Sequence, residues 1–131
     1  DVRAAQWQKF LFICAVAGLT AATRRPIGPI LATPEARSLL REAMEEVEAL
    51  AALEEVSLPA DAVDQALETI QRFAPETKSS LLIDLERGNP LELEALNGAV
   101  VRLASRHGLP TPVNRILYAL IKAAALPSSA V

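Results

Sequence analysis

The sequence predicts an all-α fold, a bundle of about six helices, and three observations predict it. No stretch alternates apolar and polar residues, and β-branched residues are few and scattered, so nothing reads as a strand. Proline and glycine fall at intervals that suit helix starts and stops. The connections so marked are short and carry no repeat, which suits helices packed against their sequence neighbours.

Each element has its own punctuation. A first helix runs from about Val2 to Thr23 and stops ahead of Arg25-Pro26. Its centre, Phe10 to Ala22, is an apolar run of thirteen residues, too short for the roughly 20 that a bilayer requires, and reads as a buried helix rather than a membrane span or signal core. Thr33-Pro34-Glu35 is a cap followed by proline, and the Leu-, Ala- and Glu-rich helix after it extends to about Glu55. Leu58-Pro59-Ala60-Asp61 opens a third helix, Ala60 to Phe73. Ala74-Pro75-Glu76-Thr77 opens a fourth, ending at Gly88. Asn89-Pro90 opens a fifth, reaching His107-Gly108, and Thr111-Pro112 opens a sixth, reaching about Ala125. The tail from Pro127 to Val131 is expected to fray.

The corner from Ser79 to Gly98 holds the densest set of signals. Gly88 stands where a helix end favours the left-handed region, and Asn89 and Pro90 then read as N-cap and first helical residue. Glu92 stands three residues after Asn89, where its carboxylate can reach back to the cap amide. Ser80 lies two turns before this corner and Glu92 one turn after it, so both side chains can face one cleft.

Composition narrows the function. The 131 residues make one domain, 1–131, with a formal charge of −3 and no basic stripe interleaved with aromatics, which argues against nucleic acid as a partner. Ten of the thirteen basic residues are arginines scattered along the chain, and the acidic cluster from Glu42 to Glu55 reads as a solvated helix face. The single cysteine, Cys14, lies inside the apolar run without a cationic neighbour. It reads as a buried structural thiol in a reducing, cytoplasmic setting. The lone histidine, His107, sits at a helix end, where the dipole favours it, and no metal site is expected. The five glycines are isolated, so no phosphate loop is present. The chain starts at Asp1 without an initiator methionine and reads as part of something longer.

Lys9 stands out among only three lysines. It shares a helix face with Ile13 and Ala17 at four-residue spacing. A lysine held against apolar surface gives up hydration and becomes a readier proton donor. The plainer alternative is that its stem covers the core while the ammonium reaches water. Capping alone likewise accounts for Glu92, and an early-helix position for Ser80.

The series Trp7-Gln8-Lys9-Phe10, Ser79-Ser80, Asp84, Gly88, Glu92, Asn97-Gly98 and Gly108-Leu109-Pro110-Thr111-Pro112-Val113-Asn114 resembles the C-terminal domain of the ketopantoate reductases (2-dehydropantoate 2-reductases) over nearly the whole chain. The resemblance implies the 6-phosphogluconate dehydrogenase C-terminal-domain-like fold. It also implies an N-terminal Rossmann domain outside this chain, which would bind NADPH. It implies that Lys9 is the catalytic lysine, bonding the substrate carbonyl oxygen and helping to protonate it. Glu92 would orient the substrate hydroxyl and the lysine, and Ser80 would hold the carboxylate of a small 2-oxo acid. Homo-oligomers are implied as well, and the isolated domain is expected to be inactive and to self-associate.

The sequence departs from that family at Ile13, Ala17 and Ile27, where the resemblance calls for substrate-binding asparagines. Removing groups that bond a hydroxyl changes substrate choice, so the pocket is expected to be more apolar than one built for ketopantoate. The competing expectation is a non-catalytic helical module for dimerisation or partner binding, using apolar surface on the first two helices.

Overall fold

The computed structural model describes residues 1–127. Among these are seven α-helices, one short 3-10 turn at Leu93–Ala95 and no strand. The helices are α1 (Val2–Thr23), α2 (Ile27–Ala32), α3 (Pro34–Leu53), α4 (Ala62–Gln71), α5 (Ser80–Arg87), α6 (Asn97–Arg106) and α7 (Pro112–Ala125). The expected all-α class therefore holds, with one more helix than the punctuation suggested.

α1 is the central strut. It packs against α2, α3, α4, α5 and α7. Its second half, from Cys14 to Ala21, is buried at every position, as expected of a helix apolar all round. Cys14 is fully buried, and burial pushes its thiol far above the ordinary range, so it remains a neutral, inert core group. No helix among the described residues is long and apolar enough to cross a membrane.

A chain of polar contacts crosses the core beside α1. The Asn97 side-chain amide donates to the Cys14 carbonyl of α1 at 3.2 Å and to Asn114 Oδ1 of α7 at 3.0 Å. Asn114 Nδ2 in turn donates to the Ala43 carbonyl of α3 at 3.1 Å and to Glu46 Oε1 at 2.8 Å. Glu46 also accepts from the backbone amides of Val113 and Asn114, each at 2.9 Å, and so caps α7 from α3. A carboxylate at a helix N-terminus is favoured both by its hydrogen bonds and by the dipole. Asn97 Oδ1 is buried without a protein partner. Gly18 permits this approach, since a Cβ there would lie 2.8 Å from Leu117 and 3.0 Å from Asn97 Nδ2.

The element the sequence reading missed is α2. Gly28 and Pro29 look like breakers, but in a helix starting at Ile27 they occupy the first turn, whose amides have no partner inside the helix. The Ile27 amide donates to the Thr77 carbonyl at 2.9 Å and the Gly28 amide to the Pro75 carbonyl at 2.8 Å. Only glycine fits at 28, because a Cβ would meet Pro75 at 2.7 Å. This contact also explains why the fourth predicted helix does not open at Ala74-Pro75-Glu76-Thr77. Those carbonyls cap α2, and α5 begins at Ser80 with Ser79 as its N-cap, accepting from the Leu82 amide at 3.1 Å.

The corner after α5 also differs from expectation. Gly88 is left-handed, with φ 71°, as anticipated. The Asn89 amide then donates back to the Asp84 carbonyl at 2.9 Å, closing α5 in a Schellman turn. Asn89 thus ends one helix instead of opening another, and no capping box forms with Glu92. The chain passes through the 3-10 turn before α6 starts at Asn97. At the far end, His107 is the C-cap of α6, and its Nε2 lies 2.5 Å from Glu54 Oε2, so a hydrogen-bond partner adds to its place at the helix end. Of the tail expected to fray, Pro127 to Val131, residues 128–131 lie outside those described.

α1 ends on a left-handed arginine. Arg24 has φ 57°, its amide donates to Ala21 at 3.3 Å, and the Arg25 amide donates to Thr20 at 3.2 Å. A non-glycine residue in this region carries a steric penalty that glycine avoids. Arg24→Gly should stabilise the fold by about 0.5–1 kcal/mol, net of glycine's greater unfolded-state entropy, read as a rise in the urea midpoint at constant m. A lowered midpoint would contradict this account of the turn.

Candidate functional site

Lys9 lies on the first half of α1, where the helix emerges from the core. It is exposed, and among the described residues it makes no hydrogen bond or ion pair. The expectation of a lysine pressed into apolar surface is therefore met only in part, because its ammonium is open to water. It borders a groove of about 310 Å³ between α1 and α4, lined also by Phe12, Ala62, Ala66 and Thr69. Phe12 is held edge-on against Phe73, with ring centroids 5.6 Å apart.

Thr20 marks the other end of the same α1 face, roughly 16 Å along the axis and about 20° around it from Lys9. Its hydroxyl donates to the Val16 carbonyl at 2.7 Å or pairs with Ser79 Oγ at 2.6 Å. This pair docks the start of α5 on α1. Ser79 performs the capping, so the neighbouring Ser80 is exposed and its hydroxyl is not engaged in capping. The Thr20–Ser79 contact was missed in the sequence. The Ser79-Ser80 doublet ahead of a Leu-Leu-Ile run was the available signal, but it did not reveal which serine would cap.

Glu92 is exposed just ahead of the 3-10 turn, and among the described residues no side-chain hydrogen bond holds it. Its neighbour Glu94 is the engaged carboxylate. Tyr118 donates to Glu94 Oε2 at 2.6 Å and Arg102 Nη1 to Oε1 at 2.6 Å. The tyrosine hydrogen bond foremost, then the arginine, hold the Glu94 carboxyl below its ordinary range. Gly98 leaves room for the cluster, since a Cβ there would lie 2.9 Å from Tyr118 and 3.0 Å from Glu94. No hydrogen bond joins Lys9, Ser80 and Glu92 to one another among the described residues. Lys9 and Ser80 lie on helices that pack together, α1 and α5, and Glu92 lies on the connection leaving α5.

Of the three apolar departures, only Ile13 keeps accessible surface. Ala17 is 3% exposed and Ile27 0%, so both belong to the core. A larger groove, about 700 Å³, lies elsewhere, beside the α3–α4 connection, and is lined by Glu48, Glu55 and Val56 among others. Burial, then the charges of Glu45 and Asp64, raise the Glu48 carboxyl above its ordinary range. An acidic lining of that kind disfavours an anionic ligand. No group of three or more metal-ligating side chains occurs among the described residues.

Residues 1–125 match the family model described as ketopantoate reductase PanE/ApbA C terminal. The chain is 32% identical over 123 residues to the 2-dehydropantoate 2-reductase of Pyrobaculum aerophilum, covering 94% of this chain and 44% of that protein. It superposes on the PanE/ApbA family ketopantoate reductase of Ralstonia eutropha with a TM-score of 0.87 and 38% identity, covering 95% of this chain and 42% of that one. The dimeric ketopantoate reductase of Staphylococcus aureus gives a TM-score of 0.89 at 28% identity, with 95% and 44% covered. The chain spans about two-fifths of the length of the curated relatives it matches.

Tyr118→Phe removes the main cause of the lowered Glu94 pKa, so the Glu94 carboxyl should titrate closer to its ordinary value in an NMR pH series. The stability this carboxylate contributes is present above its unfolded pKa and is lost as pH falls through the lowered folded value, so the variant should lose that contribution at higher pH than the parent. An unchanged Glu94 titration would contradict the assignment.

Proposed function

The chain belongs to the family of ketopantoate reductase C-terminal domains, and from that premise we propose that it is the substrate-facing part of a two-domain NADPH-dependent 2-oxo acid reductase. The observation that carries the reading is Lys9, an unpaired ammonium beside a groove on the central helix. Reducing a 2-oxo acid builds negative charge on the carbonyl oxygen. A cation placed there stabilises it and supplies the proton. Glu92, free of other bonds, would orient the hydroxyl that forms and the lysine. Ser80, left free because Ser79 caps α5, would bond the carboxylate.

The five glycines of this chain are isolated, and the N-termini of α1, α5 and α7 are occupied by Asp1, Ser79 and Glu46. The cofactor, which supplies the hydride when bound, is assigned to a Rossmann domain outside residues 1–131. A homo-oligomer is proposed as well, supported by the dimeric relative and by Ile116 and Leu120 of α7, exposed at four-residue spacing. The lone buried thiol of Cys14 suits a reducing cytoplasm.

In the full-length protein, Lys9→Ala should lower kcat for NADPH oxidation with a 2-oxo acid by about 10²–10⁴-fold while leaving the thermal midpoint unchanged, because Lys9 is exposed and unpaired. Glu92→Gln should lower kcat in the same direction. An unaltered rate in Lys9→Ala would remove the lysine from the mechanism.

A further inference from the structure

We infer that Arg102, Glu94 and Tyr118 form a positioning clamp that aims the Glu92 carboxylate at the substrate, with Arg102 its principal member. This rests on the reductase reading above and adds to it the residues that hold one of its groups in place.

At Glu92 the chain has left α5 and not yet entered α6, so no long helix fixes it. The 3-10 turn does. The Ala95 amide donates to the Glu92 carbonyl at 3.1 Å, and the Leu96 amide to the Leu93 carbonyl at 3.2 Å. So short a turn is weak by itself. Leu93 anchors it from within, as a buried side chain, and the turn packs against both α6 and α7. Glu94 anchors it from without. Arg102 of α6 grips this one residue twice, with Nη1 on the carboxylate and Nη2 on the backbone carbonyl. Tyr118 of α7 holds the other carboxylate oxygen, and Lys122 Nζ donates to the tyrosine oxygen at 3.2 Å.

The bond to the backbone carbonyl is the decisive one. It fixes main chain two residues from Glu92, and a group that must meet a reacting substrate tolerates little displacement. The planar fork of arginine spans a carboxylate and a carbonyl at once, which the point charge of a lysine does not. The side chains of the ion pair are 53% exposed for Arg102 and 55% for Glu94, so the pair adds little to stability. Its effect is on the position of the turn.

The test measures NADPH oxidation by the full-length protein with ketopantoate and with 4-methyl-2-oxopentanoate, each variant being read on the acid that the parent reduces faster. Arg102→Gln should lower kcat by about 10-fold or more and leave KM for NADPH unchanged. Tyr118→Phe keeps the ring and removes one bond, and should lower kcat less. In a Glu92→Gln background, Arg102→Gln should change kcat by no more than about 2-fold, because the group it positions is gone. A purely structural role would give the same loss in both backgrounds. A loss undiminished by Glu92→Gln, or no loss in Arg102→Gln alone, overturns the clamp and leaves the reductase reading standing. A Glu92→Gln variant as fast as the parent removes Glu92 from the mechanism and the clamp with it. A parent that reduces neither acid overturns the reductase reading as well.

Discussion

Asn114 and its contacts are the constraint on which the rest of the structure depends. One buried amide side chain on α7 accepts from Asn97 of α6 and donates to Ala43 and Glu46 of α3, while Asn97 reaches the Cys14 carbonyl of α1. Four helices are tied together at a point where the surrounding core is apolar and would otherwise allow them to slide. Burying these groups is unfavourable unless they are bonded, so the tie penalises any register that breaks it. Asn97 Oδ1 has no protein partner among the described residues. The Glu46 cap on α7 adds charge-assisted bonds to the network.

This tie also gives meaning to the motifs. Asn97-Gly98 and the Pro110-to-Asn114 segment carried the family resemblance, yet in the structure they work on packing: Asn97 and Asn114 form the tie, and Gly98 makes room for Glu94, Tyr118 and Arg102. Lys9, Ser80 and Glu92 are the motif residues without structural work. Each is exposed and makes no side-chain hydrogen bond among the described residues. The division follows from geometry: Cys14, held by Asn97, is five residues from Lys9, and Asn97 itself is five residues from Glu92, so the tie sets the spacing of two candidate catalytic groups.

The helical class and the ends at Thr23, Gly88 and His107 were legible because they depend on local chemistry: breakers, caps and a left-handed glycine. The misses lie where a distant segment overrides the local signal. The segment between Thr23 and Thr33 carried no helix in the sequence reading, and α2 forms there because Pro75 and Thr77 supply the carbonyls that cap it. Asn89-Pro90 reads as a helix start until Asp84 claims the Asn89 amide. Thr111 reads as an N-cap, but Glu46 does the capping from 65 positions upstream of it. For the site, Lys9 was visible as an isolated lysine, whereas Ser80 became distinct from Ser79 only through the hydroxyl of Thr20.

The most direct test of the central tie is a double-mutant cycle between α3 and α7, using Glu46→Ala, Asn114→Ala and the double variant in urea unfolding. If the two side chains act as one unit, the single losses should not add, and the coupling energy should be about 1–3 kcal/mol. Additive losses, with coupling near zero, would contradict the account and leave the helices held by apolar packing alone.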